Sequence, residues 1–178
     1  SRQVIAILEL KKVGEQLHKT SMTDALTGVN NRRAFDLRFE AEFARRQRTG
    51  QSFVLALIDI DHFKSFNDSY GHAEGDQALS LVAGLFQRNS RNYDFFARYG
   101  GEEFVLILPG TDIVSANKTL EKLRLVVANH EWPLRQLTVS IGLASADLFN
   151  DKKQLLEAAD QMLYKAKAQG RNQTSVFC

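Results

Sequence analysis
The chain is 178 residues long, 44% hydrophobic and 25% charged, which is ordinary globular usage and enough for one domain with a full core plus an appendage. A net charge of +2 without a basic tract gives no reason to expect nucleic acid or direct contact with an anionic membrane. No run approaches the roughly 20 apolar residues of a membrane span, and the one cysteine, Cys178, has no intrachain partner, which fits a reducing compartment.

Ser1 already falls inside a helical pattern, so a piece of a longer protein is expected. Within residues 1–20, Ala6, Leu10, Val13, Leu17 and Thr20 recur at spacings of four and three among charged residues, a short two-stranded coiled-coil seam disturbed near Gly14. A helix packed on its own domain explains so few heptads equally well. Thr23, Asp24, Thr27, Gly28, Asn30 and Asn31 then break one helix and cap the next, expected from about Arg32 to Arg48 with Phe35, Leu37, Phe39 and Phe43 as its apolar content. Phe53 to Asp61 is a nearly continuous apolar run, the pattern of a strand buried on both faces, and it ends in carboxylates.

A short helix over residues 62–69 and a longer one over 73–88 follow, the latter with a stripe of Ala78, Leu79, Val82, Leu85 and Phe86 that must bury against a sheet. Strand-like runs at 93–97 and 105–108 flank Gly100-Gly101, which predicts a two-residue hairpin with positive φ at both turn positions. Ile113, Ala116, Leu120, Leu123 and Val127 mark another amphipathic helix, and 137–143 a strand. Leu155, Ala159, Met162, Leu163 and Ala166 mark the last long helix, and 174–177 a short final strand. This order predicts an α+β fold, a ferredoxin-like mixed sheet with an antiparallel hairpin at its centre and helices packed on it.

Glu102 and Glu103 fall at the hairpin tip, where adjacent like charges repel unless they share a cation. Taken alone, the tip is equally well a solvated turn with incidental charge. Asp59 favours the cation, because an unpaired carboxylate ending a buried strand is expensive and should face a metal, a donor cluster or a crevice. If that strand lies beside the hairpin, Asp59 and Glu102 converge, and oxygen ligands without nearby Cys or His suit Mg²⁺ or Mn²⁺. Other candidates have ordinary explanations by position: Asn67 as a cap, Asp76 as a helix-dipole partner, Lys167 and Arg171 as cations closing a helix, and Arg91 with Asp94 as a loop charge pair.

The segments Asp59-Ile60-Asp61-His62-Phe63-Lys64-Ser65-Phe66-Asn67-Asp68, Gly71-His72-Ala73-Glu74-Gly75-Asp76 and Arg98-Tyr99-Gly100-Gly101-Glu102-Glu103-Phe104 resemble, in order, the three signature blocks of the GGDEF family, the bacterial diguanylate cyclases. The resemblance spans about Asp24 to Asn172 and includes the turn at 23–33, similar to the family's D-x-L-T-G-L-x-N-R-R block with Val29 at the second Leu position. It implies a palm-type fold, with a linker helix over residues 1–20 and a catalytic domain over 21–178. The implied reaction condenses two GTP into cyclic di-GMP with release of pyrophosphate. It implies a cytoplasmic homodimer with one GTP per subunit, product inhibition and an upstream sensor or receiver domain.

The resemblance also assigns residues. Two Mg²⁺ or Mn²⁺ ions would be held by Asp59, the Ile60 carbonyl and Glu102, the last also activating the attacking hydroxyl, with Glu103 bracing the hairpin or assisting a metal from behind. Lys64, Lys167 and Arg171 would clamp phosphates with the backbone N–H groups of His62 and Phe63. Asn67 and a buried Asp76 would read the guanine edge and reject adenine. Arg91 and Asp94 match the family's R-x-x-D inhibitory site. Lys122 stands where a second arginine is expected, and its loss of the planar fork leaves that secondary contact open. One rival is a catalytically silent domain that binds GTP or cyclic di-GMP as a receptor, against which the intact Asp59, Lys64, Asn67, Asp76 and Glu102 argue. The other is a ferredoxin-like RNA-binding module, whose central strands should display stacking aromatics rather than paired acids.

Overall fold
The computed structural model describes residues 2–178, except for the side chains of residues 2, 15, 16 and 18–21, so the place of Thr20 in the expected seam lies outside the described residues. Helix α1 (Arg2–Met22) leads into α2 (Arg32–Thr49), and β1 (Phe53–Ile60) is followed by α3 (Phe63–Tyr70) and α4 (His72–Asn89). The hairpin β2 (Phe95–Gly100) and β3 (Glu103–Pro109), α5 (Ile113–Ala128), β4 (Val139–Ser145), α6 (Lys152–Ala168) and β5 (Thr174–Val176) complete the chain, with a 3-10 turn at Ala146–Leu148. Local chemistry explains the ends of these helices. Asn31 Oδ1 accepts from Ala34 N at the start of α2, Asp112 caps α5 through Ser115 N, and Gly50 closes α2 at φ 73°.

The five strands lie in the order β2-β3-β1-β4-β5, antiparallel except for the β4–β5 pair. The fold class expected from the sequence is the one observed, but β1, not the hairpin, is the middle strand. The hairpin flanks β1 on one side, with β2 at the sheet edge. All eight residues of β1 are buried, as the unbroken apolar run requires of a strand covered on both faces. Val54, Ala56, Ile58 and Ile60 pack toward α4 and α5, and Phe53, Leu55 and Leu57 toward α2 and α6. Asp59 continues the second set by the two-residue period of the strand.

The turn differs from its sequence reading. Register passes from Arg98 opposite Phe104 to Gly100 opposite Glu103, so Tyr99 is an extra residue, a bulge. The turn is therefore Gly101-Glu102, and neither Gly100 nor Gly101 has a left-handed backbone. The bulge supplies the bend that two left-handed glycines would otherwise have made. In α2, Phe35, Phe39 and Phe43 are buried, while Leu37 is on the outer face and exposed. Among the described residues of helix α1, Val4, Ile5, Leu8, Leu10, Val13 and Leu17 are exposed. None of the described helices is long and apolar enough to cross a membrane.

Candidate active site
Asp59 is 6% exposed at the end of β1 and lies opposite Glu103 in the ladder. The neighbouring Ile60 N–H donates to the Glu102 carbonyl at 3.3 Å, which fastens the hairpin tip to the end of the central strand. Asp59, Glu102 and Glu103 thus meet, as the sequence suggested. Burial pushes the Asp59 carboxyl up to about 6, opposed by Lys167, whose Nζ stands 3.0 Å from Oδ2, and reinforced by the charges of Glu102 and Glu103. Lys167, expected as a free phosphate cation, is therefore also the counter-ion of Asp59.

Asp61 is a tie that the sequence did not reveal. Its 4%-exposed carboxylate accepts from Thr138 Oγ1 at 2.7 Å, Ser140 Oγ at 2.6 Å and the Asn172 backbone N–H at 3.0 Å. These bonds join β1 to β4 and to the turn after α6, where Arg171 and Asn172 hold left-handed backbones (φ 63° and 46°). The partners are remote in sequence and are hydroxyls and a main-chain group, so no motif spells them. On the other side of the strand end, His62 adopts φ 56° before the first turn of α3, an uncommon conformation for a non-glycine residue. Arg135 Nη2 donates to its carbonyl and Nη1 to Ser65 Oγ, both at 3.2 Å. Phe63 opens α3 and is buried, while Lys64 and Arg171 are exposed.

Across the α3–α4 turn the Asn67 side chain lies against Gly75, the residue before Asp76. Asn67 Oδ1 is buried with no hydrogen-bond partner among the described residues. Asp76 was expected to be buried and is instead exposed, beside Leu26, Gln77, Ser80 and Leu81 on an open hollow. It occupies the outer side of the first turns of α4, whose stripe from Ala78 onward faces the sheet. An incoming base would have to supply the desolvation itself. A further bridge escaped sequence reasoning: Arg98 donates to Asp24 (3.2 Å) and to the Gly101 carbonyl (2.8 Å), tying the turn after α1 to the hairpin tip. Burial works to raise the Asp24 carboxyl, but bonds from Thr27 and the Arg98 cation bring it below the ordinary carboxylate value.

The family profile for the diguanylate cyclase GGDEF domain matches residues 21–173. The chain belongs to the GGDEF family. The domain is 40% identical over 166 residues to diguanylate cyclase DgcP of Pseudomonas aeruginosa, covering 91% of this chain and 25% of that protein. It is also 40% identical over 167 residues to diguanylate cyclase DgcM of Escherichia coli, covering 93% and 41%. The chain thus spans a quarter to less than half of these two curated relatives. Among solved structures, the coiled coil and GGDEF domain of DgcB from Caulobacter crescentus in complex with c-di-GMP superposes with a TM-score of 0.94 at 34% identity, covering 98% of this chain and 95% of that one. Diguanylate cyclase SiaD of Pseudomonas aeruginosa, in complex with its activator SiaC, gives 0.87 at 34% identity, covering 98% and 69%.

The donor set of this GGDEF domain fits a hard divalent cation. Asp59, Glu102 and Glu103 offer only oxygen, and the Asp59 carboxyl is raised chiefly by burial, with smaller contributions from the Glu102 and Glu103 charges, which a bound cation would offset. Among the described residues no three acidic, His or Cys side chains are grouped so that they could hold a metal ion, so a cation here would take most of its shell from water and phosphate oxygens, as Mg²⁺ does.

Arg91 and Asp94 line a separate hollow of about 230 Å³ with Asn30, Gln87, Ser90, Asn92 and Phe96. Asp94 Oδ2 accepts from the Arg91 backbone N–H at 3.0 Å, and Oδ1 is buried without a partner among the described residues. Burial raises this carboxyl, partly offset by Arg91. Lys122 stands exposed on α5 and does not line the hollow. Arg124, two residues further along α5, donates to Glu121 and Asn172.

Proposed function
We propose that this domain condenses two GTP into one cyclic di-GMP and two pyrophosphates, two copies facing each other with one GTP in each. The observation that carries this reading is the buried Asp59 carboxylate, held between the Glu102 turn and Lys167, and relatives named diguanylate cyclase support it. Asn67 and Asp76 hold the guanine edge. Lys64, Lys167 and Arg171, with the backbone N–H groups of His62 and Phe63, hold the triphosphate so that the α-phosphorus of one GTP faces the 3′-hydroxyl of the other. Glu102 takes up the hydroxyl proton, and Glu103 steadies the hairpin from the first residue of β3. Mg²⁺ or Mn²⁺ held by Asp59, the Ile60 carbonyl and Glu102 would lower the pKa of that hydroxyl and offset charge on the leaving oxygens. One domain offers one GTP site and the product is two-fold symmetric, so the two copies meet around a two-fold axis, joined through the exposed apolar side of α1.

Incubating the chain with GTP and Mg²⁺ should yield cyclic di-GMP and pyrophosphate by chromatography and mass spectrometry. Glu102→Ala should melt like the parent, because the turn loses no core contact, and should make no product. Parent-like turnover in a folded Glu102→Ala would sink the active-site assignment. Tight binding of GTP or cyclic di-GMP with no turnover by the parent would instead make this a receptor domain.

A further inference from the structure
Gly75 is buried in the first turns of α4, with no left-handed backbone to require glycine. In a helix, glycine is disfavoured relative to alanine, because it loses more backbone freedom on folding. The space around it explains its presence. A Cβ there would lie 1.8 Å from Asn67 Oδ1 and 2.9 Å from Asn67 Cγ, with Phe63 Cζ at 3.3 Å. The amide of Asn67 therefore occupies the volume that any side chain at 75 would need. That same Oδ1 is the buried oxygen without a hydrogen-bond partner among the described residues, an arrangement that native proteins keep only with a reason.

From this contact we infer that Gly75 is a positioning residue for nucleotide recognition. Its missing side chain leaves the Asn67 amide room against α4, one residue before Asp76, so that one guanine edge meets both groups. The inference rests on the proposed role of Asn67 in binding GTP. Alanine at 75 forces the amide out of this seat while leaving Asp76 and the phosphate cations in place. The base contact is lost and the phosphate contacts remain.

The probe is 3′-deoxy-GTP with Mg²⁺, which lacks the attacking hydroxyl and cannot be condensed, compared with inorganic triphosphate, both titrated by calorimetry. Gly75→Ala should weaken 3′-deoxy-GTP about tenfold, the scale of one lost hydrogen bond, and triphosphate less than about twofold. In an Asn67→Ala background the same change should weaken 3′-deoxy-GTP less than about twofold further, because residues acting through one contact are not additive. There it should also lower the melting temperature less than it does in the parent, since the Asn67 amide is gone and only the tight contact with Phe63 Cζ at 3.3 Å remains. Parent-like binding of 3′-deoxy-GTP by Gly75→Ala, or an undiminished loss in the Asn67→Ala background, overturns the proposal alone. Parent-like binding by Asn67→Ala overturns the guanine role of Asn67 and the proposal with it.

Discussion
Asp59 is ionised at neutral pH against the preference of its surroundings. Burial holds its folded-state carboxyl at about 6, above an unfolded value of about 3.9. The folded chain therefore binds this proton more tightly than the unfolded chain. The resulting stability is fully present below about pH 4 and is lost as pH rises toward 6. A gap of about two units corresponds to roughly 2–3 kcal/mol at neutral pH. With divalent ions chelated, Asp59→Asn should melt several degrees above the parent at pH 7.5, by a margin that vanishes near pH 4. A margin that ignores pH would mean that Asp59 is not the strained group. This residue was legible in the sequence, because an apolar run stopping at a carboxylate is a local signal. Its pairing with Lys167 was not, because nothing near either residue names the other.

At the scale of elements, the close seat of α6 on β4 sets where Lys167 can reach. Gly142 faces α6, and a Cβ there would come within 2.0 Å of Leu163 N and 2.3 Å of Ala159 O. These are backbone atoms that cannot swing aside. Gly142→Ala should therefore lift α6 off the sheet and cost about 1–3 kcal/mol, the usual range for overpacking, read as a lower denaturant midpoint. Loss of the close contact between Lys167 and Asp59 should accompany it, seen as a further rise of the Asp59 pKa by carboxyl NMR. An unchanged midpoint would show that the helix moves freely. The helices themselves were legible from their 3.6-residue stripes, and α4 buries all five of its expected residues. The turn at Gly101-Glu102 was not, because the bulge at Tyr99 belongs to the pairing of two strands rather than to either alone.

Two features act across the whole molecule. The Arg91–Asp94 hollow and the Glu102 turn occupy opposite ends of β2, about 20 Å apart by strand rise, so a ligand in one does not touch the other. If cyclic di-GMP in the hollow links two domains and keeps their active sites apart, Arg91→Ala should relieve product inhibition at least about tenfold with GTP affinity unchanged. Parent-like inhibition would reduce the pair to a loop. Helix α1 leaves Leu10 and Leu17 72% and 67% exposed, on the stripe expected for a seam, and the proposed reaction between two facing copies would place a second copy of the chain there. Leu10→Glu with Leu17→Glu should shift sedimentation to the monomer and lower turnover per chain about tenfold or more, without moving the melting transition of the 32–178 region. A persistent dimer would place the contact elsewhere. By itself the sequence determined the element order and the α+β class and singled out Asp59, Glu102 and Glu103 as candidate site carboxylates, since hydrophobic period, turn residues and the expense of a buried charge are all carried by near neighbours. The family was legible from the resemblance of its three motif blocks. Only the tertiary structure decided that β1 is the middle strand, that Asp61 fastens three segments, that Lys167 answers Asp59, that Asp76 is exposed, and that Gly75 and Gly142 make room for an amide and a helix. Those outcomes depend on register and on atoms brought within van der Waals distance from remote parts of the chain.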